Sequence, residues 1–172
     1  ALTGNKINYS GKIFSLENFS LLIKPPRANV PIYLAAVNQK MINLTWEIGD
    51  GVILYLRPKN EIKSTLGIMQ KQRKIDSTLQ IITCVHEDSD KAVERAKKTL
   101  AFYISVGEIY RKFLASNGYK NDIMNIYDEY KSTGLQNNFM FVTDKMVKDL
   151  CICGTPSESQ QQLKEFKETG ID

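Results

Sequence analysis

Four residues, Ala35-Ala36-Val37-Asn38, stand where an apolar run ends and a helical pattern begins. A turn from a strand into a helix gathers unpaired amides and the positive helix end at one spot, which suits an anion such as a phosphate. Alanine at positions 35 and 36 leaves room for a ligand to approach the backbone. The same four residues also serve as a plain connection, so at this level both readings stay open. Other chemistry is sparse: there is no G-x-S-x-G, H-E-x-x-H, Walker loop or G-x-G-x-x-G. His86, the sole histidine, follows a strand-like run and reads as structural; Glu87 and Asp88 read as a solvated turn capping the next helix. Cys84, Cys151 and Cys153 read as ordinary thiols, since no second pair completes a zinc site. Cys151 and Cys153 are expected on opposite sides of an extended segment.

The elements that must position the turn surround it. Pro31 to Ala36 is too short for a helix, carries no charge, and reads as a strand buried on both faces. Asn38 is a helix cap, followed by Met41, Leu44, Thr45 and Ile48 at helical spacing. Gly49 is expected to end that helix in a left-handed conformation. Val52 to Leu56 is a second strand, stopped by Pro58. Strand, helix and strand with short turns make a βαβ unit with a parallel sheet. Residues 60–74 then form a covering helix through Ile62, Leu66 and Met69. Leu79 to Val85 is a third strand, and one long helix runs over residues 89–115 to the stop at Asn117-Gly118. Short helices follow at 122–130 and 144–149, the latter capped by Thr143. Thr155-Pro156-Ser157-Glu158 is a capping box with proline at the first helical position. Upstream, Lys6 to Tyr9 and Lys12 to Ser15 flank Ser10-Gly11 as a small hairpin.

With 172 residues, 42% hydrophobic and 24% charged, the chain is expected to be one soluble globular piece. The net charge of +4 is scattered, with no aromatic–basic cluster for nucleic acid. No apolar stretch approaches the roughly 20 residues of a membrane span. No signal peptide is visible, and the odd cysteine count suits a reducing cytoplasm.

Several of these stretches resemble one family. Pro31-Ile32-Tyr33-Leu34-Ala35-Ala36, a helix and Gly49-Asp50-Gly51-Val52-Ile53-Leu54 look like the bacterial-luciferase-like flavin monooxygenases. The branch using the deazaflavin coenzyme F420, including methylenetetrahydromethanopterin reductase, is most similar. Tyr9-x-Gly11-x-x-Phe14 ahead of the first strand fits the same pattern. So do Asp90, Ala92 and Ala96 after the third strand, and Cys153-Gly154-Thr155-Pro156-x-Glu158 leading to Gly170-Ile171-Asp172.

The resemblance implies an α/β fold, a partial (β/α)8 TIM barrel comprising strands five to seven and their helices. Residues 1–172 would be the C-terminal part of one barrel domain, with 1–30 a hairpin insertion leading into the strands. It implies an oxidoreductase passing a hydride between coenzyme F420, or FMN as the alternative, and a small-molecule substrate. A non-catalytic half-barrel scaffold is the rival. Ala35, Ala36, Val37 and Asn38 would hold the cofactor phosphate, with Tyr55 and Arg57 alongside and Arg57 steering the anion through solvent. Deazaflavin-dependent relatives usually carry glycine near positions 37–38 and proline near 39, where this chain has Val37, Asn38 and Gln39. Catalytic residues are expected outside the chain. Exposed strand edges imply pairing with further barrel segments or another copy, as a cytoplasmic homo-oligomer.

Overall fold

Ser10-Gly11 interrupts the residues on either side of it, and the chain turns back there. The computed structural model describes residues 2–172, in two units, one ending at Ile32 and the other running from Tyr33 to Asp172. In the first, β1 (Ile7–Ser10) pairs antiparallel with β2 (Ser15–Phe19). The Gly11 amide donates to the Phe14 carbonyl at 3.0 Å. Residues 11–14 are used by this turn, so the second arm begins at Ser15 rather than Lys12.

In the second unit, β3 (Tyr33–Ala35), β4 (Gly51–Tyr55) and β5 (Asp76–Gln80) form a parallel sheet in that order, with Leu34 opposite Val52 and Leu54 opposite Leu79. Helix α1 (Gln39–Ile48) connects β3 to β4, and α2 (Lys59–Gln72) connects β4 to β5. Val52 and Leu54 alternate with half-buried Ile53 and Tyr55, and pack with Ile42, Trp46, Ile62, Leu66 and Met69 of the two helices. Burying both faces of such a strand explains its continuous apolar run. Gly49 departs from expectation: its backbone is extended (φ −84°, ψ 157°), not left-handed. Its small size matters instead, because a Cβ would lie 2.9 Å from the Thr45 carbonyl oxygen.

The apolar run at 79–85 is not one strand paired throughout. Its first part belongs to β5, and from Ile82 the chain changes neighbours: β6 (Ile82–Val85) pairs in parallel with β7 (Cys151–Gly154). Leu79 and Ile81 pack into the α1–α2 core, while Ile82 and Cys84 contact a second core built on α3 (Ser89–Val106). The expectation for Cys151 and Cys153 is corrected here. Residues two apart in a strand share a face, and both thiols enter the second core while Ile152 enters the first. All three cysteines are free, with burial pushing each thiol pKa upward and Cys153 to about 11.

The expected helix over 89–115 breaks at Gly107 into α3 and α4 (Glu108–Leu114). Gly107 is extended (φ −101°, ψ 94°). Arg111 reaches back to the Ile104 and Ser105 carbonyls, both at 2.7 Å, satisfying acceptors that the helix end leaves open. Gly118, at φ +93°, supports the turn into α5 (Lys120–Thr133). Thr143 caps α6 (Asp144–Leu150), and α7 (Pro156–Lys167) opens with the full capping box. No helix among the described residues is long and apolar enough to cross a membrane.

The capping box yields a stability prediction. Glu158 Oε2 accepts from the Thr155 amide at 2.7 Å and from Ser89 Oγ at 3.0 Å, joining the starts of α7 and α3. Thr155→Ala should cost about 1 kcal/mol and lower the melting temperature measurably. Ser157→Ala on the exposed side of the same turn should be nearly neutral. Scanning calorimetry of both variants in the complete protein checks this, and equal shifts would remove the cap from the account.

Candidate functional site

Asn38 supplies the local reason that a helix starts where it does. Its side-chain oxygen accepts from the Met41 amide at 3.0 Å, and its carbonyl accepts from Ile42 at 3.0 Å. The preceding residue pair is held from the neighbouring strand end. Leu56 occupies the left-handed region (φ +49°), a conformation that disfavours a branched side chain, and it is buried. The next residue, Arg57, is 2% exposed.

Arg57 is held by groups on several elements, through its two Nη atoms and its flat face. Its Nη2 donates to the Val37 carbonyl at 2.7 Å and to the Ala36 carbonyl at 3.5 Å. Its Nη1 pairs with Glu61 in the first turn of α2, and its guanidinium carbon lies 4.5 Å from the centroid of the Phe113 ring on α4. Glu61 is held in turn by the Thr65 hydroxyl at 2.7 Å. The side chain therefore joins the β3 turn, β4, α2 and α4. The expectation that Arg57 steers an anion through solvent is corrected: its charge is neutralised by Glu61 inside the fold.

The grip on the carbonyls orients the amides. A trans peptide is planar, so its C=O and N–H point in opposite directions, and no peptide among the described residues is cis. With the Val37 carbonyl drawn to Arg57, the Asn38 N–H points away from the guanidinium. The Val37 N–H does the same opposite the Ala36 carbonyl. Neither amide has an acceptor among the described residues. Two adjacent, free, similarly directed N–H groups beside the start of a ten-residue helix are the kind of donor set that suits an anion. The turn borders a cavity of about 520 Å³ that is also lined by Gln39, Arg57, Glu61, Lys112 and Asn117. The donor set is the two amides, which suit a phosphate monoester or diester; Lys112 at the rim is exposed but paired with Glu108 at 2.6 Å.

The six residues singled out from sequence divide accordingly. Val37, Asn38 and Arg57 meet at the cavity. Ala36 is 1% exposed and commits its amide to the Ile53 carbonyl at 3.1 Å, and Ala35 is in register with Ile53 within the sheet. Replacing Ala36 with leucine would therefore overpack the core and give no clean test of anion approach. Tyr55 faces the second core, with the Tyr103 and Tyr110 rings edge-on at 5.2 and 5.7 Å. Burial and hydrogen bonding to Tyr103 push its hydroxyl pKa far up. His86 accepts the Asp88 amide at 2.9 Å in the turn that caps α3, which fits a structural role. Sequence reasoning missed Glu61, Lys112 and Phe113. The i, i+4 spacing of Arg57 and Glu61 across Pro58 was the one available signal.

Removing one member of a buried ion pair leaves the other uncompensated. Arg57→Ala should destabilise the protein by about 3–5 kcal/mol, whereas Arg57→Met combined with Glu61→Leu should recover most of that loss. Denaturant titration of both variants checks the assignment; equal losses would mean that the charge pair is not what the region depends on.

The model of the luciferase-like monooxygenase family matches residues 1–172. Among curated proteins, a 5,10-methylenetetrahydromethanopterin reductase of Archaeoglobus fulgidus is 28% identical over 98% of this chain and 53% of its own length. The protein of that name from Methanolobus tindarius is 24% identical over 99% of this chain and 54% of its own. The chain thus spans about half the length of the curated relatives it matches. Among solved structures, the coenzyme F420-dependent tetrahydromethanopterin reductase of Methanopyrus kandleri superposes with a TM-score of 0.81 at 19% identity, over 99% of this chain and 51% of the other. The parallel strands and their connecting helices are therefore the fold of that group, and the chain belongs to the luciferase-like monooxygenase family.

Proposed function

We propose that the complete protein is an oxidoreductase that moves a hydride between coenzyme F420 and a small-molecule substrate such as methylenetetrahydromethanopterin. In this reading the chain supplies the C-terminal part of a (β/α)8 barrel, with residues 1–30 as an insertion, and seats the cofactor phosphate. The observation that carries it is the pair of free amides at Val37 and Asn38, held outward by a buried arginine. The names of the curated relatives support the choice of cofactor and substrate class.

The bound deazaflavin supplies the hydride chemistry; the residues here bind and orient it. Backbone donors are suited to that task, since they are rigid, cannot titrate and make charge-assisted bonds to a phosphate. Val37 and Asn38 can serve without glycine because only N–H groups, and no positive φ, are required there. Ala35, Ala36 and Tyr55 act behind the turn, shaping the sheet beneath it.

The same reading places the protein in the cytoplasm, where its three thiols stay reduced. It also takes the protein to be a homo-oligomer: Ile13, Leu22 and Ile23 of the hairpin unit are largely or fully exposed, which favours an apolar partner surface.

Fluorescence titration of the complete protein with coenzyme F420 and with FMN tests the assignment. Saturable binding of the deazaflavin, at least about tenfold tighter than FMN, is expected, a difference of about 1.4 kcal/mol. Tighter FMN binding would replace the reductase reading by a flavin monooxygenase, and binding of neither would favour the scaffold.

A further inference from the structure

We propose that Glu61 is a positioning residue of the phosphate turn, acting through Arg57 without touching the ligand. The proposal rests on the phosphate reading of the Val37–Asn38 turn given above.

The chain of contacts is short and directional. Thr65 Oγ1 donates to Glu61 Oε1, Glu61 pairs with Arg57 Nη1, and Arg57 Nη2 holds the Val37 and Ala36 carbonyls. A buried guanidinium needs a counter-charge, and Glu61, 17% exposed at its side chain, is the carboxylate in contact with it. Glu61 also sits in the first turn of α2, where the helix end favours a negative charge. Without that carboxylate the guanidinium has reason to swing toward water, and its hold on the carbonyls is lost. The two peptides are then free to rotate, and the amides no longer share a direction.

Two buried atoms of the pair bear on how it is oriented. Among the described residues, Arg57 Nε and Glu61 Oε2 have no hydrogen-bond partner. A pair selected only to stabilise the fold would gain from satisfying both, because each orphan costs free energy. Here the guanidinium is turned so that its Nη2 end meets the carbonyls and its face meets Phe113. The geometry fits an arginine oriented for the turn.

The test separates this inference from the reading beneath it. The complete protein, Glu61→Gln and the double variant Arg57→Met/Glu61→Leu are titrated with coenzyme F420 and with the same deazaflavin chromophore lacking its phosphate. Circular dichroism records folding, and the double variant provides a folded protein should Glu61→Gln be unstable. Wild type should prefer the phosphorylated form. Glu61→Gln should lose about tenfold or more of that preference, as expected for loss of one or two charge-assisted bonds, while its affinity for the dephosphorylated chromophore stays the same; the double variant, which lacks the arginine too, should lose at least as much of the preference. Equal weakening toward both forms, or no change in either, would overturn the role of Glu61 while leaving the phosphate turn standing. A wild type that does not distinguish the two forms would overturn the phosphate reading itself.

Discussion

The structure around the site depends on one constraint: a buried arginine at the end of a parallel strand must have all its charge and most of its donors answered. Arg57 meets this by taking two carbonyls from the β3 turn, a carboxylate from α2 and an aromatic face from α4. Four elements are thereby fixed to one planar group. Lysine could not do this, since its compact charge lacks the forked geometry and the flat face. The left-handed backbone at Leu56 is the local strain associated with bringing the side chain inward.

Drawing carbonyls one way directs their amides the other way, and free amides beside a helix start favour an anion. The sheet and the two cores hold the turn in place: Ile42, Trp46, Val52 and Leu54 fill the layer beneath it, while Leu56 enters the core on the other side. The site is thus built from backbone whose position is over-determined by packing.

Much of this was legible in the sequence. The buried strand at Val52, parallel pairing on both its sides, the caps at Asn38, Thr143 and Thr155, and the buried stripe of Ile62, Leu66 and Met69 all follow from patterning, whereas β3 is shorter and more exposed than the run 31–36 implied and the run 79–85 divides between β5 and β6. What was not legible depended on contacts distant in sequence. Asp76 to Thr78 looks too polar for a buried strand, yet Ser77 is satisfied by Asp172, whose carboxylate accepts its amide at 2.7 Å and its hydroxyl at 2.9 Å. Cys151 to Gly154 is too short to show a period, and only pairing with β6 defines it. The break at Gly107 needs Arg111 to take the two open carbonyls. Arg57 was noticed for its charge and placed in water, because nothing local says that Glu61 and Phe113 would enclose it.

The central claim is that the Val37–Asn38 turn seats the cofactor phosphate. The most direct measurement is a crystal structure of the complete protein with coenzyme F420 bound. The account predicts phosphate oxygens at hydrogen-bond distance, about 2.7–3.2 Å, from both the Val37 and Asn38 nitrogens, with Arg57 still on the carbonyls behind them. A cofactor bound with its phosphate elsewhere, and these two amides facing only water, would contradict it.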